Sequence, residues 1–190
     1  MKNFISTQDW SKAELQEILD YAKDLKNNKF QHTLKNKSVA LLFFNPSMRT
    51  RTSFELGIQE LGGCAVVLHP GKDAWPIEFK PNTLMDGDSE EHIIEVAKVL
   101  SEYCDLIAVR AFPKFINLEE DLSDKVINSF AKYSTVPVVN METITHPCQE
   151  LAHIMTMQEH FGDLSGKDYL LTWTYPVSYT HLRAHETGSY

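Results

Sequence analysis

Ser47, Arg49, Thr50 and Arg51 fall within one short stretch, directly after an apolar run and where a helical pattern begins. Thr52 adds a further hydroxyl. The order predicts hydroxyls and forked cations at the mouth of a helix, where unpaired backbone N–H groups and the positive end of the helix dipole gather. Arginine forks suit phosphate oxygens. Two arginines at a helix N-terminus are locally unfavourable, and a bound anion would give them a purpose. The same residues would serve equally as solvated surface groups, because short Ser/Thr/Arg clusters are common. The stretch is not a P-loop, since the glycines and lysine of that motif are missing.

His146-Pro147-Cys148-Gln149 is the second notable group. A histidine near a helix start, beside a carboxamide, can polarise a carbonyl and orient an amide. It can equally be a helix cap. A zinc site from His146, Cys148 and His153 has a spacing that matches no standard ligand pair. No sharp glycine-flanked turn surrounds Ser47 or Cys148, so neither reads as an elbow nucleophile. Arg110 ends an apolar run and suits either a ligand or a rim salt bridge.

These residues need elements to hold them. Asp9 or Ser11 can cap a helix from Lys12 to about Asn27, with Leu15, Ile18, Leu19, Ala22 and Leu25 on one face. Ser38 to Phe44 reads as a strand buried on both sides. A helix follows through Phe54, Leu56, Ile58 and Leu61 and stops at Gly62-Gly63. Ala65 to Leu68 is a second strand. Lys72 to Gly87 is a long connection without a period, of the kind that often carries function. Asp88 or Ser89 can cap a helix from Glu90 to Tyr103. The third strand is Asp105 to Arg110, followed by a helix from Leu122 to Tyr133 and a fourth strand from Val136 to Asn140. A helix from about Cys148 to His160 precedes Tyr169 to Trp173, which could begin a further strand. Such alternation predicts an α/β fold, a parallel sheet with helices on both faces. Ligands collect beyond the carboxyl ends of such strands. There the Asn45–Arg51 stretch, Arg110 and the Glu142–Gln149 stretch should share one rim.

Bulk properties narrow the function class. The chain has 190 residues and a formal net charge of −8, with 43% hydrophobic residues. That charge argues against general nucleic-acid binding. No apolar run is long enough to span a bilayer, and Met1-Lys2-Asn3-Phe4 begins no signal-peptide pattern. A cytoplasmic protein is the simplest expectation. Cys64, Cys104 and Cys148 are odd in number and widely spaced, which suits reduced thiols better than disulfides.

At Phe44 to Glu55 the chain resembles the aspartate/ornithine carbamoyltransferase family. The family's Ser-x-Arg-Thr motif appears as Ser47-Met48-Arg49-Thr50, its His-Pro-x-Gln motif as His146 to Gln149, and its third-strand arginine as Arg110. The resemblance covers about Met1 to Tyr175. Lys72 to Phe79, Met85 to Asp88, Arg110 to Phe115 and Asn140 to Thr145 look like the branch that uses N-acetyl-L-ornithine. Proline stands at the place of Glu90 in the N-succinylornithine branch, so Glu90 is a specificity residue favouring the acetyl substrate. The resemblance implies transfer of a carbamoyl group from carbamoyl phosphate to the δ-amine of N-acetyl-L-ornithine in arginine biosynthesis, giving N-acetylcitrulline and phosphate. It implies no metal and no cofactor, and a homotrimer with the site between two α/β domains. Carbamoyl phosphate would be bound by Ser47, Met48, Arg49, Thr50, Arg110, His146, Pro147, Cys148 and Gln149, and by Trp75 reaching into a neighbouring subunit. Thr50, Arg110, His146 and Gln149 would act on the carbamoyl group, and Glu142 would contact acetylornithine. Ornithine or N-succinylornithine as the amine, or a non-catalytic module binding a phosphate ligand, remain open alternatives.

The implied layout is a carbamoyl-phosphate-binding domain over residues 1–145, then an interdomain helix and the start of a truncated second α/β domain over 146–175. Residues 176–190 depart from the family and read as a non-native tail. On this reading the chain alone would be nearly inactive. Leu151, Ile154 and Met155 would be left partly exposed.

Overall fold

In the computed structural model, which describes residues 2–29 and 31–170, Ser11 opens the first helix, α1 (Lys12–Asn27), by a reciprocal cap. Its hydroxyl accepts from Glu14 N while the Glu14 carboxylate accepts from Ser11 N. Asp9 instead ends a single 3₁₀ turn, Thr7–Asp9. The chain continues through β1 (Ser38–Phe43), α2 (Arg49–Glu60), β2 (Cys64–Leu68), β3 (Ile77–Glu78) and β4 (Glu91–His92). There follow α3 (Ile93–Tyr103), β5 (Leu106–Arg110), α4 (Leu118–Leu122), α5 (Lys125–Tyr133), β6 (Val138–Glu142) and α6 (Pro147–Phe161).

Four strands form a parallel sheet in the order β2-β1-β5-β6. Alternation along β1 explains the two-sided core. Ala40 and Leu42 face one way and pack with Ile107, Val109 and Val138 beneath Ile93, Val96 and Ala97 of α3 and Ile127 and Phe130 of α5. Val39, Leu41 and Phe43 face the other way and pack with Ala108, Met141 and the α2 residues Phe54 and Ile58. Every residue of β1 after Ser38 is buried, as a strand covered on both faces requires. The fold is therefore the expected α/β sheet with helices on both faces. Gly63 marks the close return from α2: a Cβ there would lie 3.0 Å from Leu34 Cβ and 3.1 Å from Ile58 Cγ2.

α6 leans on β6 and is tied to α1 by polar contacts. Lys26 pairs with Glu159 at 2.7 Å, and Lys23 Nζ donates to Gln158 Oε1 at 2.8 Å. Leu151, Ile154 and Met155 are half-buried. The outer edge of β6 is covered by the N-terminal segment, where Phe4 N donates to Val138 O and Asn140 N to Phe4 O, each at 2.8 Å. Among the described residues no helix is long and apolar enough to cross a membrane.

Several boundaries differ from the sequence expectation. The third large helix starts at Ile93 rather than Glu90. His92 caps it, accepting from Ile94 N, in place of Asp88 or Ser89. Glu91–His92 is occupied in pairing with Ile77–Glu78, so the long connection carries a small parallel ribbon. The helix expected from Leu122 to Tyr133 is broken by Asp124, which adopts left-handed backbone angles (φ 42°, ψ 48°). The fourth strand starts at Val138 and extends to Glu142, its register shifting opposite Val109 and Arg110. Tyr169 and Leu170 have no regular structure. The rest of the strand expected from Tyr169 to Trp173, and the 176–190 tail, lie outside the described residues.

Candidate active site

From β1 the chain first builds β2 on one side and later β5 on the other. The loops leaving β1 and β5 therefore diverge, and a crevice opens beyond their carboxyl ends. The register sets Phe43, the last residue of β1, beside Arg110, the last residue of β5. Asn45 ties the two exits together, its Oδ1 accepting from Phe112 N at 2.7 Å.

The 45–50 loop ends in the first turn of α2. Ser47 Oγ accepts from Thr50 N at 3.2 Å. Met48 holds the N-cap position without a side-chain cap bond and is 84% exposed. Arg49 is exposed at the same mouth. Arg51 turns along the helix instead and pairs with Glu55 at 3.0 Å. Of the two cations expected to face an anion, Arg51 is thus already neutralised on the flank.

Arg110 is the buried centre of the group. Its Nη1 donates to Thr50 Oγ1 at 3.0 Å and also to Glu142 Oε2. The Phe112 ring lies 4.5 Å from the guanidinium carbon. Arg110 Nε has no hydrogen-bond partner among the described residues. Burial pulls the guanidinium below its ordinary pKa; Glu142 opposes this and the charge of Arg49 adds to it. With Nη1 committed to Thr50 and Glu142, the orientation of the fork is fixed.

His146 closes the other side, with Nε2 3.5 Å from Glu142 Oε2. Burial, the Arg110 cation and His153 push its pKa down to about 4. It is therefore a neutral imidazole near pH 7, able to donate one N–H without carrying a charge. Its buried Nδ1 has no partner among the described residues. Gln149 follows in the first turn of α6, its N–H donating to His146 O at 2.9 Å.

Cys148 faces inward. Its thiol lies 3.6 Å from Asn140 O and is pushed up to about 11 by burial. That suits a packed thiol, not a nucleophile or a zinc ligand. Trp75 is 63% exposed on the turn after β2, and Glu90 is exposed before β4. Neither enters the group of Thr50, Arg110, Glu142 and His146. The turn that carries Trp75 is closed by Asp73, which accepts from His69 N at 2.6 Å and pairs with His69 Nδ1 at 2.7 Å.

Sequence reasoning missed the tether from Asn45, the Phe112 ring under Arg110, and the contact between Asp124 and Thr143. The first has a sequence signal, since an amide just past a buried strand has nearby loop N–H groups to satisfy. The other two depend on side chains from separate segments meeting, which no local pattern encodes.

A family model described as aspartate/ornithine carbamoyltransferase, carbamoyl-P binding domain, matches residues 2–159. The chain is 67% identical over 177 residues to an N-acetylornithine carbamoyltransferase of Xanthomonas campestris pv. campestris, covering 92% of this chain and 52% of that protein. It is 36% identical over 176 residues to an N-succinylornithine carbamoyltransferase of Bacteroides fragilis, covering 91% of this chain and 54% of that protein. A crystal structure of an acetylornithine transcarbamylase complexed with acetylcitrulline superposes with a TM-score of 0.90 at 67% identity, over 92% of this chain and 53% of that one. The chain thus spans about half the length of the curated relatives it matches.

Proposed function

The chain belongs to the aspartate/ornithine carbamoyltransferase family, and on that footing we propose that it supplies the carbamoyl-phosphate site of an enzyme that carbamoylates the δ-amine of N-acetyl-L-ornithine. The observation that carries the reading is the Arg110 guanidinium held between Thr50 and Glu142 at the crevice beyond β1 and β5, with a neutral His146 beside it.

The phosphate would sit at the mouth of α2, on the Ser47 and Thr50 hydroxyls, the Met48 N–H and the Arg49 fork. The carbamoyl oxygen would then meet Thr50, Arg110 and His146. As the amine attacks, the carbonyl carbon becomes tetrahedral and negative charge grows on that oxygen. A fixed cation and a neutral N–H donor stabilise it without having to reorganise. The C–N bond forms, the C–O bond to phosphate breaks, and the departing phosphate carries away the proton lost by the amine nitrogen. Gln149 would hold the carbamoyl nitrogen.

The similarity to N-acetylornithine enzymes, at 67% against 36% for an N-succinylornithine enzyme, supports the acetylated amine. Glu90, in the connection ahead of β4, is assigned to that choice. Trp75, projecting from its clamped turn, is assigned to the site of a neighbouring subunit in a trimer. The product N-acetylcitrulline would enter arginine biosynthesis.

Calorimetric titration with phosphonoacetamide, in which a methylene replaces the bridging oxygen of carbamoyl phosphate, tests the reading directly. Binding by the wild-type chain and its loss in Arg49→Ala are expected. Equal affinity in both would sink the assignment of the phosphate site.

A further inference from the structure

Asp124 stands between α4 and α5 in the left-handed region, where aspartate and asparagine are tolerated better than most residues. An aspartate at a helix N-cap ordinarily accepts from the first backbone N–H groups of its own helix. Here it makes no such bond. Its carboxylate turns away and accepts from the Thr143 hydroxyl, in the loop joining β6 to α6, where the neighbouring Ile144 N–H also favours its charged form.

That loop is knitted from within as well. Thr143 is buried, and its Oγ1 also accepts from Asn140 Nδ2 at 3.0 Å. Asn140 Nδ2 further reaches Ile5 O at 2.9 Å and Thr145 Oγ1 at 3.1 Å, while Thr143 N donates to Thr145 O at 2.9 Å. The next residue is His146, and the first turn of α6 carries Gln149. We infer that Asp124 is a positioning residue for the site: by gripping Thr143 it fixes the loop that sets where His146 and Gln149 stand. The inference rests on the proposed roles of those two residues.

A purely local role explains the geometry poorly. Asparagine fits the left-handed angles equally well and buries no charge. Burial pushes the Asp124 carboxyl up to about 6 even though two donors pull it down. The ionised group therefore weakens the fold near neutral pH, and its charge-assisted bonds to the loop are what it contributes in return.

The test compares Asp124→Asn and Thr143→Val with the wild-type 190-residue chain. Hydrogen exchange on the ligand-free chain reads the loop itself. Losing a charge-assisted bond should speed exchange over residues 143–149 by about tenfold in either variant. Phosphonoacetamide affinity should fall by about tenfold for the same reason, whereas inorganic phosphate, held at α2, should bind within about twofold of wild type. The melting temperature of Asp124→Asn at pH 8 should not fall. Unchanged exchange over 143–149 in both variants would overturn the inference. Equal losses for both ligands with a lowered melting temperature would also overturn it, since that pattern marks a general structural role. A wild-type chain that binds neither ligand would overturn the site assignment, and the exchange result would still decide whether Asp124 holds the loop.

Discussion

Arg110 and Glu142 end neighbouring strands and meet as an ion pair with both side chains withdrawn from solvent, at 5% and 11% exposure. The pair is the joint between two halves of the site, because Arg110 also reaches Thr50 on α2 and Glu142 also lies beside His146. Glu142→Ala strands a buried guanidinium. It should cost about 3 kcal/mol in urea unfolding, the usual scale for breaking a buried pair from one side. Replacing both partners with apolar residues, as Arg110→Met with Glu142→Leu, should recover most of that loss while abolishing phosphonoacetamide binding. A double variant that still bound the ligand would show that the pair does not build the site.

The two arginines of α2 should separate cleanly. Arg49 is exposed at the helix mouth, whereas Arg51 is paired with Glu55 at 3.0 Å. Arg49→Ala should weaken phosphate binding by about 10- to 100-fold, the loss of charge-assisted bonds, with stability changed by no more than about 0.5 kcal/mol. Arg51→Ala should leave binding nearly intact and cost about 0.3–0.5 kcal/mol, the scale of an exposed i,i+4 pair. Reversed effects in calorimetry would mean that α2 presents its other flank to the ligand.

That separation shows where sequence reading ran out. The Ser47–Arg51 stretch, Arg110 and His146 could be placed on one rim because a buried β1, a stop at Asn45-Pro46 and parallel alternation dictate it. Which arginine faces outward could not be read, because it depends on a competing pair with Glu55. Nor could the depth of Glu142 be read. The fourth strand was expected to stop at Asn140, and it runs on because the register shifts opposite Arg110. The break at Asp124 was invisible for a similar reason: Val126, Ile127 and Phe130 carry a helical period, and only the distant Thr143 draws the preceding carboxylate aside.

The thiols should differ in reactivity. Cys64 is exposed at the start of β2, while Cys104 and Cys148 are held above the ordinary thiol range by burial, Cys148 at about 11. Brief treatment of the folded chain with iodoacetamide at pH 8 should label Cys64 alone, and Cys64→Ser should leave the chain unmodified until it unfolds. Rapid labelling of Cys148 would revive a nucleophilic role for it. Peptide mass mapping reads the outcome.

His146 and Asp124 should pull the stability–pH curve in opposite directions. Folded His146 takes a proton only near pH 4, whereas the unfolded chain takes it near 6.5. Between those values acidification favours the unfolded state, at about 1.4 kcal/mol per pH unit. Folded Asp124 takes its proton near pH 6, whereas the unfolded chain refuses it until 3.8. Between those values acidification favours the folded state at a similar rate, about 1.4 kcal/mol per pH unit. From about pH 6 to 4 the two slopes nearly cancel. Asp124→Asn should therefore lose stability relative to wild type as pH falls through this window, by about 3 kcal/mol in all. His146→Gln should gain by a similar amount, again about 3 kcal/mol. Urea titrations at half-unit steps would show one curve diverging downward and the other upward. Three parallel curves would mean that neither group is buried as the structure has it, and the proposed role of His146 as a desolvated neutral donor would lose its support.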